Sequence, residues 1–424
     1  MFLQLKPERA HGSTGDEQLV LHPVWNRTRR RQRCGKRGGN SRYFGGPQVA
    51  DLNGDGQVEI IVGNLTANQV EVYDALLRPV AGWPQTTGGG IKAAVTVADL
   101  NGDGQLELTT GAEDGRLYAW HADGTALPGW PVRLGDDPTT DYRILATPAV
   151  GDINGDGSPE VVVPLADGQL YARRADGTAL WSASLGGQPD LFGSQVVNSS
   201  PRLADLDGDG QLEIVIGSSD GQMYVFNGDG TQRWAYQTGD MILGAPAVAD
   251  FVPARAGLEV AVGSGDGYIY LLGADGSLLW RRVTRWTIRS TPTAADLNAD
   301  GQPELVVGAD DGRVYAWDSS GTALPGWPQT AGAPVFASPV VGDVDGDGQP
   351  EVVAGADDGQ IFAWKTNGTM VTGWPHLTTA AVKGTPVLVN LDRDPALELV
   401  LTDLDGGLTN VGAPRITFMP LVWR

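Results

Sequence analysis

With one cysteine, Cys34, this chain can form neither an intrachain disulfide nor a cysteine zinc cluster. Histidine is almost as scarce. There are four, and no two stand at the spacing by which a helix offers a pair of imidazoles to a metal. No apolar run approaches the roughly 18 residues of a membrane-spanning helix. The opening residues, Met-Phe-Leu-Gln-Leu-Lys-Pro-Glu-Arg, lack the apolar core of a secretion signal. A sustained helical period is missing too, whereas glycine (60) and proline (27) are plentiful. These absences exclude a disulfide-stapled, zinc-cluster or helical membrane protein. They leave a chain of short strands joined by turns.

Positive charge is missing from most of the chain. Residues 1–42 hold ten Lys or Arg against three acids, with a run at Arg27, Arg29, Arg30, Arg31, Arg33, Lys36 and Arg37. Residues 43–424 hold 20 basic against 48 acidic groups, a net of −28. Residues 1–42 are therefore expected to be a disordered basic extension, set apart from the body at 43–424. A nucleic-acid or membrane-surface arm is the alternative for that run, and Val20 to Trp25 could add one strand to the neighbouring sheet. The acidity of the body disfavours nucleic acid as a partner.

What the body does have is one nine-residue pattern, repeated. Asp51, Asn53, Asp55 and Glu59 offer side-chain oxygens, and Gln57 a backbone carbonyl. The set recurs as Asp99, Asn101, Asp103, Gln105 and Glu107, and as Asp152, Asn154, Asp156, Ser158 and Glu160. Asp205, Asp207, Asp209, Gln211 and Glu213 form the fourth copy. Asp296, Asn298, Asp300, Gln302 and Glu304 follow, then Asp343, Asp345, Asp347, Gln349 and Glu351. Hard oxygens around a glycine turn are what Ca²⁺ prefers. A helix–loop–helix calcium site needs its bidentate Glu at the twelfth position. Here the acid comes ninth and a strand-like run (Glu59-Ile-Ile-Val) follows at once, so each loop is expected to join two strands. Six bound Ca²⁺ would move the body from −28 to −16. The tightest binding is expected where Asp replaces Asn, at Asp207 and Asp345.

The first loop position falls at Asp51, Asp99, Asp152, Asp205, Asp250, Asp296, Asp343 and Asn390, in steps of 45 to 53 residues. That is the length of a four-stranded propeller blade. Strand A enters through Pro, the acidic loop leads to strand B, and an Asp-Gly hairpin turn leads to strand C. A second glycine turn precedes strand D, which carries one tryptophan: Trp83, Trp130, Trp181, Trp234, Trp280, Trp327, Trp374 and Trp423. These rings are expected to pack between blades, since one four-stranded sheet buries too little apolar surface alone. The fold predicted is all-β: an eight-bladed propeller of four-stranded antiparallel blades with calcium-binding A–B loops. Its last outer strand is expected from the C-terminal end around Trp423, with closure by side-chain packing. The fifth loop, Asp250 to Glu259, has lost its ligands. In the eighth (Asn390, Asp392, Asp394, Glu398), Pro395 replaces the glycine.

With Asp-x-Asn/Asp-x-Asp-Gly-x-x-acid between strands, the array resembles the FG-GAP/VCBS repeats of the integrin α-subunit propeller. Tyr43-Phe-Gly45 and Leu191-Phe-Gly193 look like its Phe-Gly element. Integrin loops mostly end in Asp, and integrins have seven units. The turns Ala175 to Trp181 and Gly273 to Trp280 also resemble quinoprotein-type propeller repeats. The resemblance implies fold and calcium, not an activity.

Gly217-Ser-Ser219-Asp-Gly221 matches a nucleophile elbow, but it falls at a B–C hairpin with no repeated histidine nearby. Ligand binding is expected instead where the repeats differ, in the D–A connections on the face opposite the acidic loops. There Arg281, Arg282, Arg285, Trp286 and Arg289 form the body's one dense cationic cluster. Its arginines either receive an anionic ligand or pair with acids such as Asp240 or Asp266. The function expected is a non-enzymatic, calcium-stabilised propeller that binds a protein or glycan, outside the cell or on its surface. That setting requires a leader the sequence does not show. The alternative is a pectin-type polysaccharide lyase, with Lys92 or Lys383 reaching the arginines. A quinone-dependent oxidase has only the tryptophan turns in its favour.

Overall fold

Strand B begins at the loop's glutamate in every repeat, from Glu59–Asn64 to Glu398–Thr402, and is buried along its whole length. A blade's second strand has another blade on each side, so its apolar run (Ile60-Ile-Val, Val161-Val-Val) needs no polar alternation. The computed structural model describes residues 32–33, 43–135, 142–186, 199–391 and 394–411, and every element named in it is a strand. The strands form eight antiparallel sheets of four. Short inner strands, Gln48–Ala50 in blade one to Val387–Val389 in blade eight, each lie beside those of both neighbours. The first lies beside the last, so the ring is closed around an axis.

Eight apolar clusters sit at the eight blade junctions among the described residues. One holds Ile61, Val72, Leu108 and Trp120 from blades one and two, and another joins Ile60 and Val62 to Val400 of blade eight. The seven described tryptophans of the series pack there as expected, and six of them add a polar tie, while the indole N–H of Trp374 is buried with no partner among the described residues. The indole N–H of Trp83 donates to Ala122 O of the next blade, 2.9 Å, and Trp130 reaches Ala175 O. Trp181, Trp234, Trp280 and Trp327 repeat the bond to Gly228, Ala274, Ser319 and Thr366. The acceptor is always a carbonyl at the next blade's C–D turn.

The outer strand comes in two forms. Blades one, two, six and seven have a Trp-Pro step with a cis peptide bond and a two-residue strand D, as at Gln85–Thr86. Blades three, four and five lack that proline and run a six-residue strand D, as at Gln232–Gln237.

The last blade departs from the sequence reading. Its outer strand is Gln32–Arg33, paired antiparallel with Leu408–Val411 (Gln32↔Asn410, Arg33↔Thr409). The chain ahead of blade one thus closes the ring, where the tryptophan period pointed to the C-terminal end. The edge of Leu408–Val411 presents unpaired backbone groups that any extended segment can satisfy, and a strand from the far end of the array also ties blade eight to blade one. Trp423 and Val20 to Trp25 lie outside the described residues.

Candidate functional site

The acidic loops stand where the pattern put them, between strands A and B, and each is organised by its own hydrogen bonds. In the first, Asp51 Oδ1 accepts from the N–H groups of Gly54 and Asp55, and Oδ2 from Gly56. Asn53 Oδ1 accepts from Asp55 N–H and Asp55 Oδ1 from Gln57 N–H. Gly56 at φ 81° makes the turn that brings these oxygens together.

The ninth-position glutamate is turned toward the chain itself. Glu59 Oε2 accepts from Leu52 N–H at 2.9 Å, and the same seven-residue clamp recurs in all eight blades. The fifth blade keeps it (Val252 N–H to Glu259 Oε2, 2.9 Å) although Asp250 is the only other acid left in its loop. All eight glutamates are buried. Burial holds Glu59, Glu160 and Glu304 above the usual carboxylate range, partly offset by that backbone N–H.

Position three divides the loops into two kinds. In four of them the asparagine amide donates to the glutamate's second oxygen: Asn53 to Glu59, Asn101 to Glu107, Asn154 to Glu160 and Asn298 to Glu304. Where Asp stands instead, a cation from strand C or D takes over. Arg233 bonds Asp207 and, at 2.9 Å, Glu213. Lys365 lies 2.9 Å from Asp345, 2.5 Å from Asp347 and 3.7 Å from Glu351. These cations hold Asp207 and Asp347 below the usual carboxylate range. The donor sets fit a hard divalent ion. Oxygens of Asp205, Asp207 and Glu213 lie within 4.8 Å of one another, as do those of Asp343, Asp345 and Asp347. An ion there would share its oxygens with Arg233 or Lys365. The eighth loop keeps Asn390, Asp394 and Glu398, while Asp392 lies outside the described residues.

The arginine cluster is divided by the fold. Arg282 is on the outer edge, donating to Gly321 O (2.5 Å) and Ser320 O (2.9 Å) at blade six's C–D turn, the loop side of the molecule. Arg281 lies over the Tyr268 ring at 4.8 Å. Arg285, Trp286 and Arg289 stand together on the opposite face. Arg289 pairs with Asp310 at 2.9 Å, not with Asp240 or Asp266. Arg285 and Trp286 line an open pocket of about 350 Å³ with Asp310, Asp311 and Arg313. Trp286 is 65% exposed there, and Arg285 has no ion pair among the described residues. Arg313 and Asp310 were missed in the sequence because their B–C turn comes from a different repeat segment. A second cavity, about 610 Å³, borders the first acidic loop, with His121 and Asp123 on its far wall. Ser219 lies in a strand-to-strand turn, its Oγ buried without a partner among the described residues, so no nucleophile elbow exists.

Fold and loops define the class: a β-propeller carrying FG-GAP-like repeats. Residues 51–110 and 296–354 match the sequence model of the FG-GAP-like repeat, and residues 190–284 that of the λ-carrageenase β-propeller domain. The division follows the outer strands. The first matches cover Trp-Pro blades, and the second covers blades with long outer strands. No curated protein sequence matches the chain. BamB from Moraxella catarrhalis is similar in structure, with a TM-score of 0.62 at 18% identity over 86% of this chain and 96% of that one. The V. cholerae biofilm matrix protein Bap1 gives 0.60 at 16%, over 88% and 89%. The exotype rhamnogalacturonan lyase YesX gives 0.59 at 19%, over 89% and 73%. At these identities the likeness is one of fold.

Proposed function

We propose that this protein is a recognition propeller, stabilised by calcium in six A–B loops, that binds a protein or glycan ligand on the opposite face. It works outside the cell or at its surface, where calcium is abundant enough for weak extracellular-type sites. One observation carries the ligand face: a 65%-exposed tryptophan beside two arginines in an open pocket, on the side where the blades differ. Tryptophan and arginine are the residue types in which binding hot spots are enriched. Names among the similar proteins, a carrageenase and a rhamnogalacturonan lyase, agree with a glycan, but their sequence distance carries no argument about activity.

Calcium would be held by Asp, Asn or Asp, Asp and the backbone carbonyl of each loop, supplying a charge that the crowded carboxylates otherwise lack. A glycan and protein array probed with the calcium-loaded protein tests the proposal. Binding should be lost on Arg285→Ala and Trp286→Ala with no change in melting temperature. A ligand indifferent to both changes would leave the pocket as ordinary surface. Release of unsaturated uronate from acidic polysaccharide by the same preparation would make the lyase reading the better one.

A further inference from the structure

Among the described residues, the one four places ahead of strand A is equivalent from blade to blade and stands where the D–A connection turns in toward the ring of inner strands. Around five consecutive blades it reads Arg289, Phe336, Lys383, Phe44, Lys92. Cation and aromatic ring alternate. The remaining described positions, Leu145 and Leu243, are apolar, and 198 lies outside the described residues. Three of the four neighbouring pairs in this arc are in cation–ring contact: Arg289 Cζ is 5.6 Å and Lys383 Nζ 3.6 Å from the Phe336 ring, and Lys92 Nζ is 5.1 Å from the Phe44 ring. The connections beneath are packed backbone to backbone. A Cβ on Gly45 would lie 2.5 Å from Ala93 O, and one on Gly384 2.8 Å from Gly45 O. Serine and threonine hydroxyls link them further, Thr291 N–H to Ser338 Oγ at 2.9 Å and Ala94 N–H to Thr147 Oγ1 at 3.1 Å. The arc therefore rests on a rigid rim.

A purely structural role accounts for part of it. Lys383 pairs with Asp357 at 2.5 Å and Arg289 with Asp310. Lys92 is different: it is half-buried, with no ion pair among the described residues. Its pKa is lowered, with burial outweighing the attraction of Glu113. The Phe44 ring and the charge of Glu113 only partly offset the cost of burying this ammonium. A bound anion would supply the missing partner.

We propose that this arc at the axial mouth is a subsite for an acidic sugar residue, a pyranose bearing a carboxylate or sulfate. Phe44 and Phe336 lie against the apolar ring face, and Lys92, Lys383 and Arg289 hold the anionic group. The ligand continues outward past Asp310, which Arg289 already contacts, to the pocket at Trp286. A sugar has both surfaces the arc offers, C–H face and charged substituent, whereas an inorganic anion would leave the two rings unused. The inference rests on the ligand-face reading above and specifies its class.

The test is calorimetric titration of the full-length, calcium-loaded protein with three oligosaccharides: a galacturonate trimer, a sulfated galactose trimer and a neutral galactose trimer. An acidic peptide and sodium sulfate serve as comparisons. One or both acidic trimers should bind at least tenfold more tightly than the neutral one. Lys92→Met, and separately Phe336→Leu, should each weaken binding severalfold while the melting temperature stays or rises. Which acidic trimer binds names the anionic group. If Lys92→Met and Phe336→Leu leave acidic-sugar binding unchanged while Arg285→Ala abolishes it, the axial subsite is wrong and the ligand face stands. If only the peptide binds, the sugar assignment is wrong and the face again stands. If sulfate alone binds as tightly as the trimers, the rings play no part and the proposal is overturned. If nothing depends on either region, both readings fall.

Discussion

The two faces of this propeller use one backbone differently. On the loop face, every blade repeats the clamp from its glutamate to the loop's second or third residue, and even blade five keeps it at Glu259. On the other face, the position ahead of strand A holds Phe44, Lys92, Leu145, Leu243, Arg289, Phe336 or Lys383 around an equally regular rim. A side chain that every blade needs is serving the blade. One that changes from blade to blade, on unchanged backbone, is free to serve a ligand. The difference is testable: changes on the loop face should move stability, and changes on the other should move binding.

The largest effect should come from removing calcium. Each site that binds only the folded protein adds about 2.7 kcal/mol at a hundredfold excess over its dissociation constant, and chelation leaves several carboxylates crowded in each loop. Melting with and without chelator should differ by many degrees, while Arg285→Ala shows the same two midpoints as the parent. An unchanged midpoint on chelation would break the comparison at its loop side.

Next come the tryptophan ties. Trp327→Phe keeps an aromatic ring at the junction but loses part of its apolar surface and leaves Thr366 O without its donor, the latter at a cost of about 1–3 kcal/mol. Denaturant unfolding measures it. A neutral substitution would mean that the junctions are held by packing alone.

Much of this was legible in the sequence. The loop period gave the blade count, and apolar runs after each glutamate gave strand B. Tryptophan recurrence gave the junctions, because each of these features serves a neighbour at fixed distance along the chain. The last outer strand was not legible: Gln32–Arg33 carries no tryptophan and pairs with a strand nearly four hundred residues away, so period gave no signal. The glutamate's duty to the backbone had a signal in Glu259, retained in a loop that keeps only Asp250 of the other acids. The arginine cluster read as one patch because sequence proximity hides which side of an outer strand a residue leaves from. Arg282 and Arg289 are seven residues apart and end on opposite faces. Lys92, Lys383 and the two phenylalanines are far apart in sequence and meet only because the ring closes.

A smaller effect separates the two kinds of loop. Lys365 occupies oxygens that calcium would use, so Asp345 and Asp347 are already neutralised in part. The extra carboxylate led to an expectation of tighter binding. The tethered ammonium argues the other way, since two cations compete for one oxygen set. Lys365→Met should raise calcium affinity at the seventh loop severalfold by titration and lower the melting point of the chelated protein. The same change should leave the Asn-type loops untouched. Equal affinity in parent and variant would mean that the ammonium swings clear when calcium arrives.

The smallest expected effect falls on the proposed ligand face, at Lys92. Its folded pKa is depressed by burial, so the folded protein disfavours the charged form relative to the unfolded chain. The sign follows from linkage. The cost is fully present while lysine is protonated in both states, shrinks as pH rises through the depressed folded pKa, and is gone above the unfolded value. Lys92→Met should therefore stabilise the protein by less than about 1 kcal/mol at neutral pH, within the range of a single side chain outside the core. The advantage over the parent should fade as the solution is made alkaline. A loop-face acid replaced in the same way should destabilise the calcium-loaded protein instead. Were Lys92→Met destabilising at neutral pH, the ammonium would be serving the fold, and the division between a structural face and a binding face would fail at the axis.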